Sequence, residues 1–343
     1  MIKVCYINPE KNGIGYHRLE IPFHNLSEDF KDLKVYGTNG FTAEHLPTRY
    51  DVIVLNRHSW QSEPYIEMAK DAGVKIILDL DDIIEIPEWH GAHDGINTPQ
   101  IVDRIYQTID MADGIWCASE YLQTTFNKES TYIPNAIDFT QPQFMPQPKK
   151  MDRYTIGWVG AANHSQDIEL LHEPLKKLLS KKNYNILLGG VSSSDIETNR
   201  YWDFVQWLMT SAGQLPAEHF IKIDRQTTYN YAFIYNLMDC VLAPLSKGEF
   251  QKCKSNIKII EAGAFSLPVI CSNIEPYKEF IDAGVVYTSA GQWDKTMKEL
   301  ISAPIKGQRK GALLHEYVRE HYNIKKVNQK RYYDIINVMD QRS

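Results

Sequence analysis

The chain has 343 residues, of which 43% are hydrophobic and 11% aromatic, and its formal net charge is −6. This composition excludes a disordered chain, and the length predicts two domains of about 150 residues each. The charge is uneven, because residues 1–150 carry 13 basic and 22 acidic side chains whereas residues 301–343 carry nine and four. An acidic first half argues against a broad nucleic-acid surface there, since phosphate binding needs clustered Lys and Arg.

The N-terminus and the cysteines indicate the cellular compartment. MIKVCYINPE is a short apolar run that soon meets Asn-Pro-Glu, so we expect neither a signal peptide nor a transmembrane segment. The five cysteines are scattered and odd in number, which is typical of reduced thiols rather than disulfides or zinc ligands. We therefore expect a cytoplasmic protein, or a protein of the host-cell cytoplasm if it is viral.

Strand-like apolar runs alternate with helix-period segments along the chain. The predicted strands are 2–7, 51–56, 74–80, 114–119, 131–134, 154–160, 184–190, 220–224, 240–245, 267–272 and 285–288. The predicted helices include 62–72, 98–112, 167–180, 228–238, 255–264 and 290–302. Alternation of this kind predicts βαβ units and parallel sheets. Eleven strands are too many for one compact sheet of this length, so we predict an α/β protein with two doubly wound, Rossmann-like domains that face a cleft.

A linker composition marks the boundary between the two domains. The segment QPQFMPQPKKMD, residues 141–152, is rich in Pro and Gln. We therefore predict one domain over 1–145 and a second over 146–306. Residues 307–343 are predicted to form helices that pack back on the first domain.

The first strand is followed by NPEKNGIGYHRLEI. Gly13 and Gly15 allow a tight loop whose N–H groups could bind an anion or a sugar oxygen, although a purely structural turn explains the loop equally well. Arg18 stands where the dinucleotide fingerprint needs its third glycine, so that fingerprint is absent. Its positive charge near a helix N-terminus opposes the helix dipole, which indicates a functional demand. We take Tyr16, His17 and Arg18 as candidate ligand-binding residues.

Carboxylates crowd the end of the strand in VKIILDLDDIIEIPEWH. Asp79, Asp81 and Asp82 lie there, and His90 follows a little later. They could serve as a general base, as acceptors of substrate hydroxyls or as an Asp-x-Asp metal site, and a solvated helix cap is the structural alternative. We take Asp81, Asp82 and His90 as catalytic candidates.

The second predicted domain opens with GWVGAANHSQDIELL. Its loop from Gly160 to Asp167 leads into a helix and offers an anion-friendly geometry, with His164 as a candidate donor ligand. Arg225 follows the strand FIKID, and the planar fork of an arginine suits a diphosphate.

The stretch EFQKCKSNIKIIEAGAFSLPVICS predicts a loop, a helix, a turn and a buried strand. Steps of four and three from Lys254 reach Lys258 and Glu261, so we expect these side chains on one helix face, with Ser255 or Asn256 as the cap. A surface ladder of Lys and Glu explains the spacing equally well. A nucleoside diphosphate would explain every part, because lysines at a helix N-terminus bind phosphates and a carboxylate accepts ribose hydroxyls.

Several segments in order resemble one known family. They are ADGIWCASEYLQTTF with YIPNAIDF, then YTIGWVGAANHSQDIELL, then MDCVLAPL with CKSNIKIIEAGAFSLPVICSN, within residues 110–290. The chain resembles the retaining GT-B glycosyltransferases, which use nucleoside-diphosphate sugars. The resemblance implies a first domain that binds the acceptor, with Tyr16, His17 and Arg18 as candidates, and a second that binds the donor, with His164 as a candidate. It implies no cofactor beyond the donor sugar, no metal, and a partner hydroxyl that it does not identify.

The resemblance also implies roles for particular residues. Glu261 would bind the donor ribose, and Gly15 and Gly160 would border the reacting phosphate and sugar. Residues expected at the diphosphate are Arg225, Lys254, Ser255 and Lys258. One departure stands out, because the family often has a sugar-contacting glutamate where this chain has Cys253, and Glu249 is only nearby.

Other functions remain open at this stage. A metal-dependent GT-A-type transferase could use Asp79 and Asp81, a sugar-nucleotide epimerase could share the architecture, and a nucleotide-binding protein could have lost catalysis. The acceptor could be a glycan, a lipid-linked sugar, a small molecule or a hydroxymethylated DNA base, since some viral enzymes of this architecture modify DNA. The candidate basic patch for DNA comprises Arg309, Lys310, Lys325, Lys326, Lys330 and Arg331.

Overall fold

The structure is a computed structural model. It describes residues 1–9, 12–41, 47–57, 63–90, 93–148, 151–161, 164–179, 184–191, 196–209 and 219–341. Within these ranges, no helix is long and apolar enough to cross a membrane.

Parallel strands and intervening helices make up most of the described chain. The strands are β1 (Ile2–Ile7), β2 (Leu33–Thr38), β3 (Val52–Asn56), β4 (Lys75–Leu80), β5 (Gly114–Cys117), β6 (Thr131–Tyr132), β7 (Tyr154–Val159), β8 (Tyr184–Val191), β9 (Phe220–Asp224), β10 (Cys240–Ala243), β11 (Val269–Ser272) and β12 (Val286–Thr288). The α-helices are α1 (Gly13–Gly15), α2 (Ile21–Asp29), α3 (Glu63–Asp71), α4 (His93–Ile96), α5 (Pro99–Met111), α6 (Ser165–Leu179), α7 (Ile196–Met209), α8 (Glu249–Lys252), α9 (Ile257–Ala264), α10 (Trp293–Ile301), α11 (Pro304–His321) and α12 (Ile324–Asp340). A π-helix, Tyr16–Glu20, joins α1 to α2, and Tyr231–Leu237 is a 3₁₀-helix.

Contacts divide the chain into two compact units. Unit 1 comprises 1–138, 252–256 and 322–343, and unit 2 comprises 139–251 and 257–321. These limits differ from the predicted domain limits at three places, the first of which is the boundary after residue 138 rather than 145. The short segment 252–256 interrupts unit 2 and packs in unit 1, and α11 belongs to unit 2 while α12 belongs to unit 1.

Each unit contains one six-stranded parallel sheet, which confirms the predicted doubly wound class. The order is β2-β1-β3-β4-β5-β6 in unit 1 and β12-β11-β10-β7-β8-β9 in unit 2. The second order, read from β9, is that of a dinucleotide-binding Rossmann sheet. In unit 1, alternate residues of the strands enter two apolar layers, one of which includes Cys5 and Ile53 and the other Val4 and Val54. A sheet buried on both faces explains why the strands read as continuous apolar runs.

Two elements differ from the sequence prediction. β2 was missed, because its side chains at the edge of the sheet are half-buried and include Lys34. The predicted helix 228–238 is the 3₁₀-helix Tyr231–Leu237.

The two C-terminal helices pack on different elements. Helix α11 packs on α9, where Gly263 lies against Val318 and Gly311 lies against the carbonyl of Ser266. Helix α12 packs on α2, and its Ile324 and Val327 enter a core layer of unit 1.

Candidate functional site

The carboxyl ends of β7 and β10 form the centre of the candidate site in unit 2. These two strands are neighbours, but β7 continues to β8 on one side while β10 continues to β11 on the other. Crossovers that leave in opposite directions open a crevice beyond the strand ends, where ligands of α/β folds bind. The residues that follow β7 and β10 are therefore the ones that can touch a ligand of this unit.

Close backbone packing shapes the turn after β7. The N–H of Gly160 donates to the carbonyl of Gly189 at 3.0 Å. A Cβ on Gly160 would lie 2.5 Å from the ring of Trp158, which explains why no larger residue fits. Gly190 has φ +91°, and its missing Cβ leaves room for the carbonyl of Gly160.

A buried carboxylate joins the loop after β7 to the loop after β10. Oδ2 of Asp167 lies 2.9 Å from Nδ1 of His164, and its Oδ1 accepts the backbone N–H of Ser246 at 2.8 Å. Burial raises the pKa of Asp167, but the hydrogen bond to His164, the Ser246 N–H and the charge of Lys258 together lower it below its ordinary value, as does His164 when its ring is protonated. Asp167 is therefore an anion at neutral pH that fixes both loops.

Lys258 lies in the first turn of α9 and reaches the same cluster. Its Nζ is 3.4 Å from Nε2 of His164 and 6.0 Å from the ring centroid of Trp158. A lysine in the first turn adds its charge to the positive end of the helix dipole. The predicted donor candidates His164 and Lys258 are thus in contact.

Glu261 lies one turn further along α9 and is only 5% exposed. The hydroxyl of Tyr235 donates to its Oε2 at 2.7 Å, and the hydroxyl of Tyr231 donates to its Oε1. Burial and the charge of Glu261 raise the pKa of Tyr235 well above its ordinary value, so that hydroxyl keeps its proton. A carboxylate oxygen has two lone pairs, so a single hydrogen bond does not saturate it.

The other predicted diphosphate ligands lie elsewhere. Helix α9 begins at Ile257, so Lys254 precedes it and does not share its face with Lys258, contrary to the predicted helix 255–264. Lys254 and Ser255 pack in unit 1. Arg225 is exposed just after β9, two strands from β7, which corresponds to about 10 Å.

Arg18 and Asp79 form a buried ion pair within unit 1. Nη2 of Arg18 lies 2.5 Å from Oδ1 of Asp79, and Nη1 donates to the carbonyl of Ile133 at 2.6 Å. The charge of Arg18 therefore neutralises a buried carboxylate of unit 1. Tyr16 and His17, which precede it in the π-helix, are also mostly buried, at 2% and 9% exposed.

Two of the predicted catalytic residues, Asp82 and His90, lie near Lys254 in unit 1, and the charge of the third, Asp81, acts on Arg57. Nζ of Lys254 donates to Oδ2 of Asp82 at 2.7 Å. The pKa of His90 is lowered by burial and by the charge of Lys254, against the opposing charge of Asp82. A neutral imidazole beside an ion-paired carboxylate can accept a proton near pH 7.

Arg57 lies close enough to the predicted catalytic aspartates to feel their charge, and the sequence prediction did not name it. It follows β3, is 4% exposed, and its Nη2 donates to the carbonyl of Ile84 at 2.6 Å. Burial lowers its pKa, while the charges of Asp81 and Asp82 raise it. A charged residue directly after a strand is the signal that could have found it.

A metal site at the aspartates is not supported by the described side chains. Asp79 is paired with Arg18, and no group of three or more His, Cys, Asp or Glu residues in the described ranges is arranged to hold a metal ion.

Cys253 lies in the apolar core of unit 1, where it is fully buried. Its carbonyl accepts the hydroxyl of Ser119 at 2.9 Å. The position at which the family often carries a sugar-contacting glutamate is therefore a packing position in this chain.

The predicted basic patch for DNA is divided. Arg331 is fully buried and donates to Asn328 at 3.0 Å, so the prediction that it binds a polyanion is wrong. Arg309 and Lys310 lie on α11 of unit 2. The exposed basic residues of α12 are Lys325, Lys326 and Lys330.

Comparison with solved structures identifies the fold. Sucrose-phosphate synthase from Thermosynechococcus elongatus matches with a TM-score of 0.76 and 13% identity over 100% of both chains. HepE from Anabaena, solved with UDP and glucose, matches at 0.71 and 12% over 98% of this chain and 99% of its own. An alpha-glucosyltransferase solved with UDP-glucose and DNA containing an abasic site matches at 0.66 and 11% over 98% and 99%.

The chain has the GT-B fold. This confirms the resemblance seen in the motifs at the level of the fold. It also removes the predicted GT-A alternative, because two six-stranded parallel sheets match the GT-B neighbours over nearly the whole chain. No protein-family model and no curated protein sequence matches the chain.

Proposed function

We propose that the protein is a glycosyltransferase that moves a sugar from a UDP-sugar to a hydroxyl acceptor. The observation that carries the proposal is the contact of Lys258 with His164 at the switch point of unit 2, one helical turn from the clamped carboxylate of Glu261. Phosphate-binding cations and a ribose-binding carboxylate at this place suit a nucleoside diphosphate. Similar folds solved with UDP or UDP-glucose support the choice of uridine.

Unit 2 binds the donor in this proposal. Glu261 accepts hydrogen bonds from the ribose, and the tyrosine hydroxyls hold its carboxylate in the orientation that leaves lone pairs for the ligand. Lys258, His164 and the turn at Gly160 bind the diphosphate. Arg225 is a further diphosphate candidate from the end of β9.

The chemistry is the exchange of one bond at the sugar. The bond between the anomeric carbon and the diphosphate oxygen breaks, and its electron pair goes to that oxygen. The fixed cation of Lys258 stabilises the charge that develops there without a metal. The acceptor oxygen forms the new bond and loses its proton, and the departing phosphate can take that proton on the same face of the sugar, which retains the configuration.

Unit 1 handles the acceptor in this proposal. His90 and Asp82 orient the acceptor hydroxyl, whose proton goes to the departing phosphate. Lys254 acts here, on Asp82, rather than at the diphosphate. Arg18 acts indirectly, by holding Asp79. Among the possible hydroxyl acceptors, a hydroxymethylated DNA base is supported by the exposed lysines of α12 and by the similar structure solved with DNA.

The test is release of UDP from a panel of UDP-sugars, with a chelator present. Acceptor arms contain glycans, lipid-linked sugars, small alcohols, or duplex DNA with hydroxymethylated bases. Lys258→Ala should lower turnover about 10²–10³-fold, because it removes a group that stabilises charge in the transition state. Lys295→Ala, on exposed Lys295 of α10, is the matched control and should turn over normally.

Three outcomes would contradict the proposal. Normal turnover in Lys258→Ala would exclude the assigned diphosphate site. Conversion of the donor into an isomeric UDP-sugar would identify an epimerase. Tight binding of UDP-sugars without turnover in any acceptor arm would identify a non-catalytic nucleotide-binding protein.

A further inference from the structure

Asp167 is a buried charged residue of unit 2 to which the proposed reaction assigns no role. It is 3% exposed, and both of its oxygens are engaged, Oδ2 with His164 and Oδ1 with the N–H and hydroxyl of Ser246 at 2.8 and 3.1 Å. Capping a helix does not require a carboxylate to contact an imidazole, so capping alone does not explain the contact of Asp167 with His164. The carboxylate therefore has a consequence for His164.

The hydrogen bonds fix the tautomer of His164. An ionised carboxylate only accepts, so Nδ1 carries the hydrogen that it donates to Asp167. Nε2 lies 3.4 Å from the ammonium of Lys258, which only donates, so Nε2 presents its lone pair. In the absence of ligand the imidazole is therefore neutral.

Two opposite charges face this imidazole. Asp167 of α6 favours the protonated ring, and Lys258 of α9 disfavours it. The Trp158 ring of β7 packs edge-on against it at 6.2 Å between centroids. Because a histidine titrates near neutral pH, withdrawal of one of these charges is enough to change its protonation.

A diphosphate would change that balance. Its oxygens attract Lys258, which would leave Nε2 without the donor that occupies it, and their negative charge adds to that of Asp167. Two anionic groups would then favour the imidazolium from both sides of the ring.

We propose that His164 takes up one proton from solvent when the donor binds, and that the resulting imidazolium donates from Nε2 to the diphosphate. This inference rests on the proposed function, since it assumes that the diphosphate binds beside Lys258. Asp167 is then a positioning residue, which holds the ring and stabilises its charge. The new cation faces the oxygen that gains charge when the sugar leaves, and the proton returns to solvent when UDP dissociates.

Calorimetric titration with UDP measures this proton directly. Titrations of the whole protein in buffers of different ionisation enthalpy should give uptake approaching one proton per UDP at pH values above the free histidine range. The dissociation constant should then rise about tenfold per pH unit. His164→Asn should bind UDP more weakly, with no uptake and no pH dependence. His24→Asn, at an exposed position of α2, is the control that should match the wild type.

Asp167→Asn separates the charge of Asp167 from its place in the fold. The amide oxygen can still accept from Nδ1, but without its negative charge residue 167 no longer stabilises the imidazolium in the complex. Affinity for UDP should therefore be kept at low pH and lost earlier as the pH rises. A merely structural role would weaken binding by the same factor at every pH.

The outcomes distinguish the inference from the function it rests on. UDP binding by the wild type without proton uptake, or with the same pH profile in Asp167→Asn, overturns the inference and leaves the proposed function standing. Absence of UDP binding by the wild type overturns both. If Asp167→Asn does not fold, the comparison of wild type with His164→Asn still decides by the uptake alone.

Discussion

Removing the carboxylate of Asp79 should strongly destabilise unit 1. The side chains of Arg18 and Asp79 are 1% and 0% exposed, and the pair also has Nε of Arg18 at 3.1 Å from Oδ2. A second buried guanidinium feels the same anion, because burial and the charge of Arg18 lower the pKa of Arg331 while Asp79 opposes them. Asp79 is thus the anion shared by two buried cations.

The expected cost follows from this arrangement. Removal of one partner of a buried ion pair costs about 3–5 kcal/mol, since the other charge stays buried without compensation. Asp79→Asn leaves two such charges, whereas Arg18→Met leaves Asp79 beside Arg331, so Asp79→Asn should cost more. The double variant Arg18→Met/Asp79→Leu should recover part of the loss, because it removes one of the two uncompensated charges and leaves only that of Arg331.

Calorimetric unfolding measures the effect. For a unit of this size, about 2–4 °C per kcal/mol converts the cost into a fall of about 6–20 °C in the transition of unit 1. The comparison of single and double variants is the internal control. A cost below about 1 kcal/mol for Asp79→Asn, which is within the ordinary range for a single substitution, would refute the reasoning.

Three further predictions concern stability. Burial raises the pKa of Asp113, but the hydrogen bond from Lys70 and other contacts lower it below its ordinary value. The ionised Asp113 therefore stabilises the fold above the ordinary carboxyl pKa range, and this contribution is lost as the pH falls. Asp113→Asn should cost about 0.5–1 kcal/mol of unfolding free energy in urea titrations at neutral pH and nothing in strong acid. Gly311→Ala should lower the free energy of unfolding by about 1–3 kcal/mol, and the thermal midpoint with it, because the methyl group would overlap the carbonyl of Ser266. An unchanged thermal midpoint would contradict this. Cys253→Glu should unfold unit 1 at lower urea instead of restoring a sugar contact, because it buries an unpaired carboxylate.

The class of fold was predictable because parallel strands buried on both faces give continuous apolar runs. The starting residue of a short helix was harder to predict than its apolar face. Lys258 and Glu261 share a face of α9 as predicted, but Lys254 does not, because the helix begins at Ile257, directly after Asn256, and of the two predicted caps only Asn256 matches that start. β2 was missed because an edge strand has fewer apolar positions.

The sequence could not predict which site residues contact each other when they lie far apart along the chain. The two tyrosines that clamp Glu261 lie 30 and 26 residues before it, and the partner of Lys254 lies 172 residues away. Spacing rules describe neighbours within one helix or strand, so they cannot pair side chains from separate elements. The strand-end rule did indicate Asp82, and applied to β3 it would also have indicated Arg57.

Binding of UDP to Glu261→Ala tests the central claim most directly. Titrations with chelator present should show wild-type binding that Glu261→Ala weakens about 10–150-fold, the equivalent of about 1.5–3 kcal/mol for hydrogen bonds to a charged group. Glu299→Gln, on an exposed glutamate of α10, should bind like the wild type. Equal affinity in Glu261→Ala and the wild type would contradict the assignment of the donor site to α9.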